Sequence, residues 1–161
     1  MHYVVGFQFN EDGNRVALIK KNRPSAQVGL WNGIGGGVER GQTPREAMVC
    51  EFAQETGVTQ MGIVWRPFMT LRTWTDNLVS YFASFTDQVE LVSTVTDELV
   101  SVHQVSVLPA MVDRLVPDVP WQIVMALSVV GIARTGADGR RQSCMYAVTE
   151  LPPPIQGMIN Q

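Results

Sequence analysis

The chain is predicted to be α/β: a mixed β-sheet sandwiched between helices. Three observations predict this. Apolar–polar alternation with the two-residue period of a half-buried strand recurs along the chain. A single sharply delimited helix follows a glycine-rich run. The order strands, helix, more strands, helix is that of a sheet covered on its faces by helices. The 161 residues suit one domain, large enough to bury roughly two-thirds of its unfolded surface without disulfide or structural metal. We expect that domain to span residues 1–151, with a loose tail over 152–161 that opens on three prolines.

Tyr3, Val5, Phe7 and Phe9 share one face of a first strand, and Glu11-Asp12-Gly13-Asn14 turns the chain into Val16-Ala17-Leu18-Ile19, so these segments form a hairpin. The stretch from Asn22 through Gly37 is polar and then glycine-rich, and is expected to be loop, with at most a short strand at Leu30 to Asn32. Thr43-Pro44-Arg45-Glu46 places a hydroxyl at the N-cap, proline at the first helical position and glutamate at the third. This is the signature of a reciprocal capping box. The helix should carry Ala47, Met48 and Phe52 inward and stop at Gly57, where a left-handed C′ residue is accessible.

Further strands are expected at Ile63 to Thr73, Leu78 to Phe85 and Val100 to Val107, followed by a short helical turn after Pro109. A second helix should start near Pro120, carry Trp121, Val124, Met125 and Leu127 into the core, and end by Gly131. A closing hairpin is expected from Val129 to Arg134 and Ser143 to Thr149.

Composition excludes several function classes. The net charge is −3 and no block of basic residues occurs, which argues against duplex nucleic acid or an anionic membrane as the main partner. A small anionic ligand held through metal stays open. Cys50 and Cys144 form neither a metal-ligand spacing nor a disulfide framework. The N-terminus lacks the features of a signal peptide, so a cytoplasmic location is expected. The apolar run Ile123 to Ala133 is too short to cross a bilayer.

Chemistry concentrates in one stretch. Gly33-Ile34-Gly35-Gly36-Gly37 has almost no side chains between its backbone and a ligand. On the helix that follows, Glu51 and Glu55 are four residues apart, so both carboxylates stand on one face and can share a hard cation. Acidic groups late in a helix also oppose its dipole, a small cost that decoration alone does not explain. A glycine-rich turn before a helix with two solvated glutamates fits the same spacing.

The run from Gly36 to Val58, GGVERGQTPREAMVCEFAQETGV, resembles the Nudix box of nucleoside diphosphate hydrolases. That motif reads glycine, five residues, Glu, seven residues, Arg-Glu, an aliphatic, any residue, Glu-Glu, any residue, Gly, an aliphatic. Gly36, Glu51, Glu55, Gly57 and Val58 match it, and Phe52 is an apolar replacement at the first aliphatic position. Outside the box, Trp31-Asn32-Gly33, Thr96-Asp97-Glu98-Leu99 and Pro117-Asp118 resemble segments of the MutT-like enzymes that remove oxidised purine nucleoside triphosphates.

The resemblance implies a Nudix-type α/β/α sandwich and metal-assisted attack of water on a nucleoside triphosphate, such as 8-oxo-dGTP, giving the monophosphate and pyrophosphate. It implies Mg²⁺, with Mn²⁺ as an alternative. It assigns Glu51 and Glu55 as catalytic; Gly36, Glu51, Glu55 and Glu98 as metal-holding; and Asn32, Asp118, Trp121 and Lys21 as substrate-binding. Trp121 is also open to a plain core role. Many relatives pair, so a homodimer is compatible.

Three positions depart from the motif. Gln42 stands for its first glutamate, Cys50 for its arginine and Gln54 for the first of the paired glutamates. A glutamine brings no charge to Mg²⁺, and loss of an orienting arginine typically costs about 10–100-fold in affinity or activity. Two readings therefore stay open: a hydrolase with a depleted site, which the surviving carboxylates favour, and a Nudix-fold protein that binds a nucleotide without cleaving it.

Overall fold

The structure, a computed structural model, describes residues 1–59, 62–131 and 146–147. Its centre is a mixed sheet of β1 (His2–Phe9), β2 (Arg15–Lys20), β3 (Trp31–Asn32), β4 (Arg66–Arg72), β5 (Leu78–Phe85), β6 (Leu99–Gln104) and β7 (Tyr146–Ala147). The order is β3-β2-β1-β5-β4-β7, with β6 on the other edge of β2. β1 and β5 are parallel over their full length, from His2 opposite Leu78 to Phe9 opposite Phe85. β2 pairs antiparallel with β1 near its start and with β3 near its end. The first hairpin and the β5 boundaries are those expected from the alternation.

Alternation along β2 sends side chains to opposite faces, and each face has its own core. Val16 and Leu18 join Phe7, Phe9, Phe68 and Leu115 on one side, with Val119, Ile123 and Ala126 packed over them. Ala17 and Ile19 join Val4, Ile34, Trp65 and Phe82 on the other, covered by Ala47, Met48 and Phe52. Helix α1 (Pro44–Thr56) and helix α2 (Val119–Ala126) therefore lie on opposite faces, which makes the α/β/α sandwich.

Local chemistry sets the ends of α1 as expected. Thr43 Oγ1 accepts from the Glu46 N–H at 3.3 Å, and the Glu46 carboxylate accepts from the Thr43 N–H at 2.8 Å. Gly57 takes φ of 71° and its N–H reaches the Ala53 carbonyl at 2.9 Å. Phe52 is fully buried and meets Trp65 edge-on, with ring centroids 5.2 Å apart. An aromatic ring at this aliphatic position thus anchors the helix on the sheet, and burying it contributes about 1.5–3 kcal/mol.

Several expectations change. The glycine run is not a free loop: it lies antiparallel beside β1, with Ile34 and Gly6 exchanging N–H···O bonds of 3.0 and 2.7 Å and Val4 donating to Gly36 at 2.9 Å. The strand expected at Val100 to Val107 ends at Gln104, and a 3₁₀ segment occupies Val105–Arg114. In α2 the buried stripe is Val119, Gln122, Ile123 and Ala126, whereas Trp121 is 39% and Val124 62% exposed. A polar residue on the inner stripe had disguised which face turns inward. Beyond Ala126 the chain continues as a π-helical turn through Leu127–Gly131, so no strand begins at Val129. The rest of the expected closing hairpin and the tail fall outside the described residues, apart from Tyr146–Ala147, which pairs parallel with β4.

Candidate functional site

Glu51 projects from α1 onto the glycine run. A β-carbon on Gly36 would collide with the carboxylate carbon and both carboxylate oxygens of Glu51. Glycine lets the Glu51 carboxylate settle directly on the main chain, and a side chain at this position would push that flexible carboxylate aside. The Glu51 carboxyl is half-buried and held above the usual carboxylate range, first by burial, then by the negative charges of Glu55 and Glu39, with Lys21 opposing. Its neighbour Glu55 accepts a hydrogen bond from Thr96 Oγ1 at 2.6 Å.

Register delivers the third carboxylate. Lys20 at the end of β2 faces Leu99 at the start of β6, so the residues just beyond each, Lys21 and Glu98, are carried together. Glu98 is 2% exposed, forms an ion pair with Lys21 Nζ, and accepts from the Asn22 N–H at 2.7 Å. Asn22 Nδ2 donates to the Asp97 carboxylate, and the Glu98 N–H reaches Thr96 Oγ1 at 3.3 Å. Thr96 therefore links the Glu55 carboxylate to the backbone of Glu98.

Two of the three motif departures meet each other. Gln42 Nε2 lies 3.9 Å from Cys50 Sγ, while Gln42 Oε1 accepts from the Glu39 N–H at 3.1 Å. The motif's glutamate and arginine would sit against one another at these positions as an opposite-charge pair. Replacing both removes one charge of each sign, so this double departure costs the site less net negative charge than the loss of a lone glutamate. Gln54 stands exposed on α1 and has no such compensation.

Next to Gly36 opens a cavity of about 570 Å³. Of the candidate binding residues, Lys21, Asn32, Gly36 and Asp118 line it and Trp121 does not. Tyr81 and Gln122 line it as well, and sequence reasoning missed both. Gln122 had one legible signal, a carboxamide on the inward stripe of an otherwise apolar helix; Tyr81 is one strand aromatic among several and carries none. Asn32 Oδ1 accepts from the Gly33 N–H at 2.8 Å. The Tyr81 phenol is pushed up to about 12 by burial and then by the charge of Asp118, against a hydrogen bond from Gln122.

The donor chemistry fits a hard divalent cation on Glu51 and Glu55, two carboxylates one helical turn apart whose mutual repulsion such an ion relieves. The Gly36 carbonyl already accepts from Val4 and keeps one lone pair. Among the described residues no three His, Cys, Asp or Glu side chains gather closely enough to hold a metal. Glu98 faces the ammonium of Lys21 instead.

A sheet between two helices, with carboxylates of one helix turned onto a glycine strand beside a cleft, defines an α/β/α domain with an acidic site at the edge of a cavity. The chain belongs to the family of the NUDIX domain, which matches residues 2–122. Among solved structures it is similar to a MutT described for Aliivibrio salmonicida and Vibrio cholerae, at 20% identity and a TM-score of 0.59, over 76% of this chain and 95% of that one. It is also similar to DR0079 from Deinococcus radiodurans, at 17% identity and TM-score 0.59, over 78% and 82% of the two chains. A third is the dihydroneopterin triphosphate pyrophosphohydrolase of E. coli, at 15% identity and TM-score 0.58, over 76% and 91%. At these identities the likeness concerns the fold. No helix among the described residues is long and apolar enough to cross a membrane.

Proposed function

We propose that this Nudix protein hydrolyses a nucleoside triphosphate to the monophosphate and pyrophosphate, with an oxidised purine such as 8-oxo-dGTP as the preferred class. The observation that carries the reading is the seating of the Glu51 carboxylate on Gly36 beside a cavity lined by Lys21, Asn32 and Asp118. A phosphate chain lying along the glycine strand would meet the acidic helix while its base enters the cavity. One of the fold's neighbours is by name a triphosphate pyrophosphohydrolase, and this supports a triphosphate substrate.

Mg²⁺, or Mn²⁺, held by Glu51, Glu55 and the Gly36 carbonyl, would neutralise phosphate charge and polarise the bond to be broken. Glu51, seated against Gly36, either shares the ion with Glu55 or takes the proton of the attacking water. The water oxygen bonds to phosphorus, the bridging P–O bond breaks, and pyrophosphate leaves. Lys21 and Arg23 both line the cavity; Lys21 is paired with Glu98, so Arg23 is the main cation there for the phosphates. Asn32 and Asp118 orient the base.

A second reading, nucleotide binding without useful turnover, draws on the loss of charge at Gln54 and on the pairing of Glu98 with Lys21. Pyrophosphate release measured over nucleoside triphosphates, nucleotide sugars and dinucleoside polyphosphates, with Mg²⁺ and with Mn²⁺, separates the two. Turnover that disappears in Glu55→Gln supports the hydrolase; calorimetric binding with no release across the panel supports the binding protein.

A further inference from the structure

We propose that Gln122 determines base specificity in this cavity: its side-chain carbonyl and the Asp118 carboxylate form a pair of acceptors that selects a base presenting two adjacent N–H donors. The inference rests on the reading of the cavity as a nucleotide site and names the edge that the site recognises.

Gln122 occupies the inner stripe of α2, between Val119 on one side and Ile123 and Ala126 on the other, where each neighbour is an apolar core residue. It is 2% exposed, and its Oε1 has no hydrogen-bond partner among the described residues. A buried carbonyl without a donor is less stable than an apolar group of the same shape, so a glutamine here calls for a partner. The core does not supply one. Because the residue lines the cavity, a ligand can.

Tyr81 lines the same cavity, and its phenol, pushed up to about 12 mainly by burial, stays protonated across the physiological range. The Gln122 carbonyl oxygen is left there as a free acceptor. Asp118 lies one helical turn before Gln122, whose N–H reaches the Asp118 carbonyl at 3.1 Å, so the two side chains are neighbours on one helix face. Both act on the same Tyr81 ring. Across the cavity, Asn32 has its Oδ1 committed to Gly33, and its amide donors are engaged only by a long 3.4 Å bond to Gln27. The lining therefore offers two acceptors, Asp118 at the cap of α2 and Gln122 within it, and a donor on β3.

A guanine edge complements that display, since its ring N–H and exocyclic amine are adjacent donors and its O6 is an acceptor. Adenine sets an acceptor beside its one amine and would bring acceptor against acceptor. A site built to hydrogen-bond a group rejects an analogue lacking it, because its own polar atoms are then left unpaired.

The test uses the full chain, calorimetry, and α,β-methylene analogues of GTP and ATP, with inorganic tripolyphosphate as a probe of the phosphate end alone. The wild type should bind the guanine analogue at least about tenfold tighter than the adenine analogue. Gln122→Met, which keeps the volume and removes the acceptor, should lose about tenfold in guanine affinity with tripolyphosphate binding unchanged. Gln122→Leu repeats the comparison should the methionine variant fail to fold. A variant that keeps the wild-type base preference overturns the role of Gln122, as does a wild type without preference. If the wild type binds tripolyphosphate and both analogues indifferently, only this inference falls; if it binds none of the three, the nucleotide reading falls first and this one with it.

Discussion

Lys21 and Glu98 form a buried ion pair one residue beyond the register of β2 and β6, with Glu98 2% exposed and the Lys21 side chain 14% exposed. The Asn22 N–H completes the carboxylate's partners. The ammonium faces one of the three candidate carboxylates while the other two, Glu51 and Glu55, stand on α1.

Removing the ammonium leaves a buried carboxylate without its counter-ion. Lys21→Met should lower unfolding free energy by about 3 kcal/mol in chelator, the low end for breaking a buried pair because Asn22 remains. Added Mg²⁺ should then restore more stability to the variant than it adds to the wild type, as Glu98 becomes available to the cation. Denaturant unfolding with and without Mg²⁺ measures both effects, and equal Mg²⁺ responses would show that Lys21 and metal do not compete.

A β-carbon on Gly36 would occupy the place of the Glu51 carboxylate. Gly36→Ala should displace that flexible carboxylate with little loss of stability and lower pyrophosphate release by at least about tenfold, since small misplacements of a catalytic group are expensive. Turnover at the wild-type rate would mean that Glu51 acts from elsewhere.

Reverting Gln54→Glu and Cys50→Arg together should raise hydrolysis of 8-oxo-dGTP by at least about tenfold if these positions limit metal binding. Because Gln42 and Cys50 touch, the arginine meets a neutral partner, and adding Gln42→Glu should increase the gain further. A triple variant no faster than the wild type rejects the depleted-site account.

His103 Nε2 is buried without a partner among the described residues, and its ring lies edge-on to Trp31 with centroids 4.5 Å apart. Burial lowers its pKa from the ordinary 6.5. The unfolded chain then takes up the proton first, so this contribution to stability is intact above pH 6.5 and declines as pH falls towards the lowered value. His103→Gln should flatten the loss of stability just below pH 6.5, read as the difference between variant and wild-type unfolding curves at several pH values. Parallel curves would assign the acid sensitivity to other groups.

The sequence by itself determined what depends on a few neighbouring residues. The capping box at Thr43 and Glu46, the stop at Gly57, the alternation of β1 and β2, and Glu51 and Glu55 on one face are all settled within a turn or two of chain. Asn32, Asp118 and Lys21 were legible as candidates, though only one at a time. Tertiary structure alone decided how distant segments meet: the glycine run as a partner of β1, Lys21 against Glu98 across 77 residues of sequence, Gln42 against Cys50 around the helix start, and Gln122 rather than Trp121 turned into the cavity. Strand register and helix rotation set these contacts. Both are fixed by the sum of many weak packing terms across the sheet, which no single stretch of residues carries.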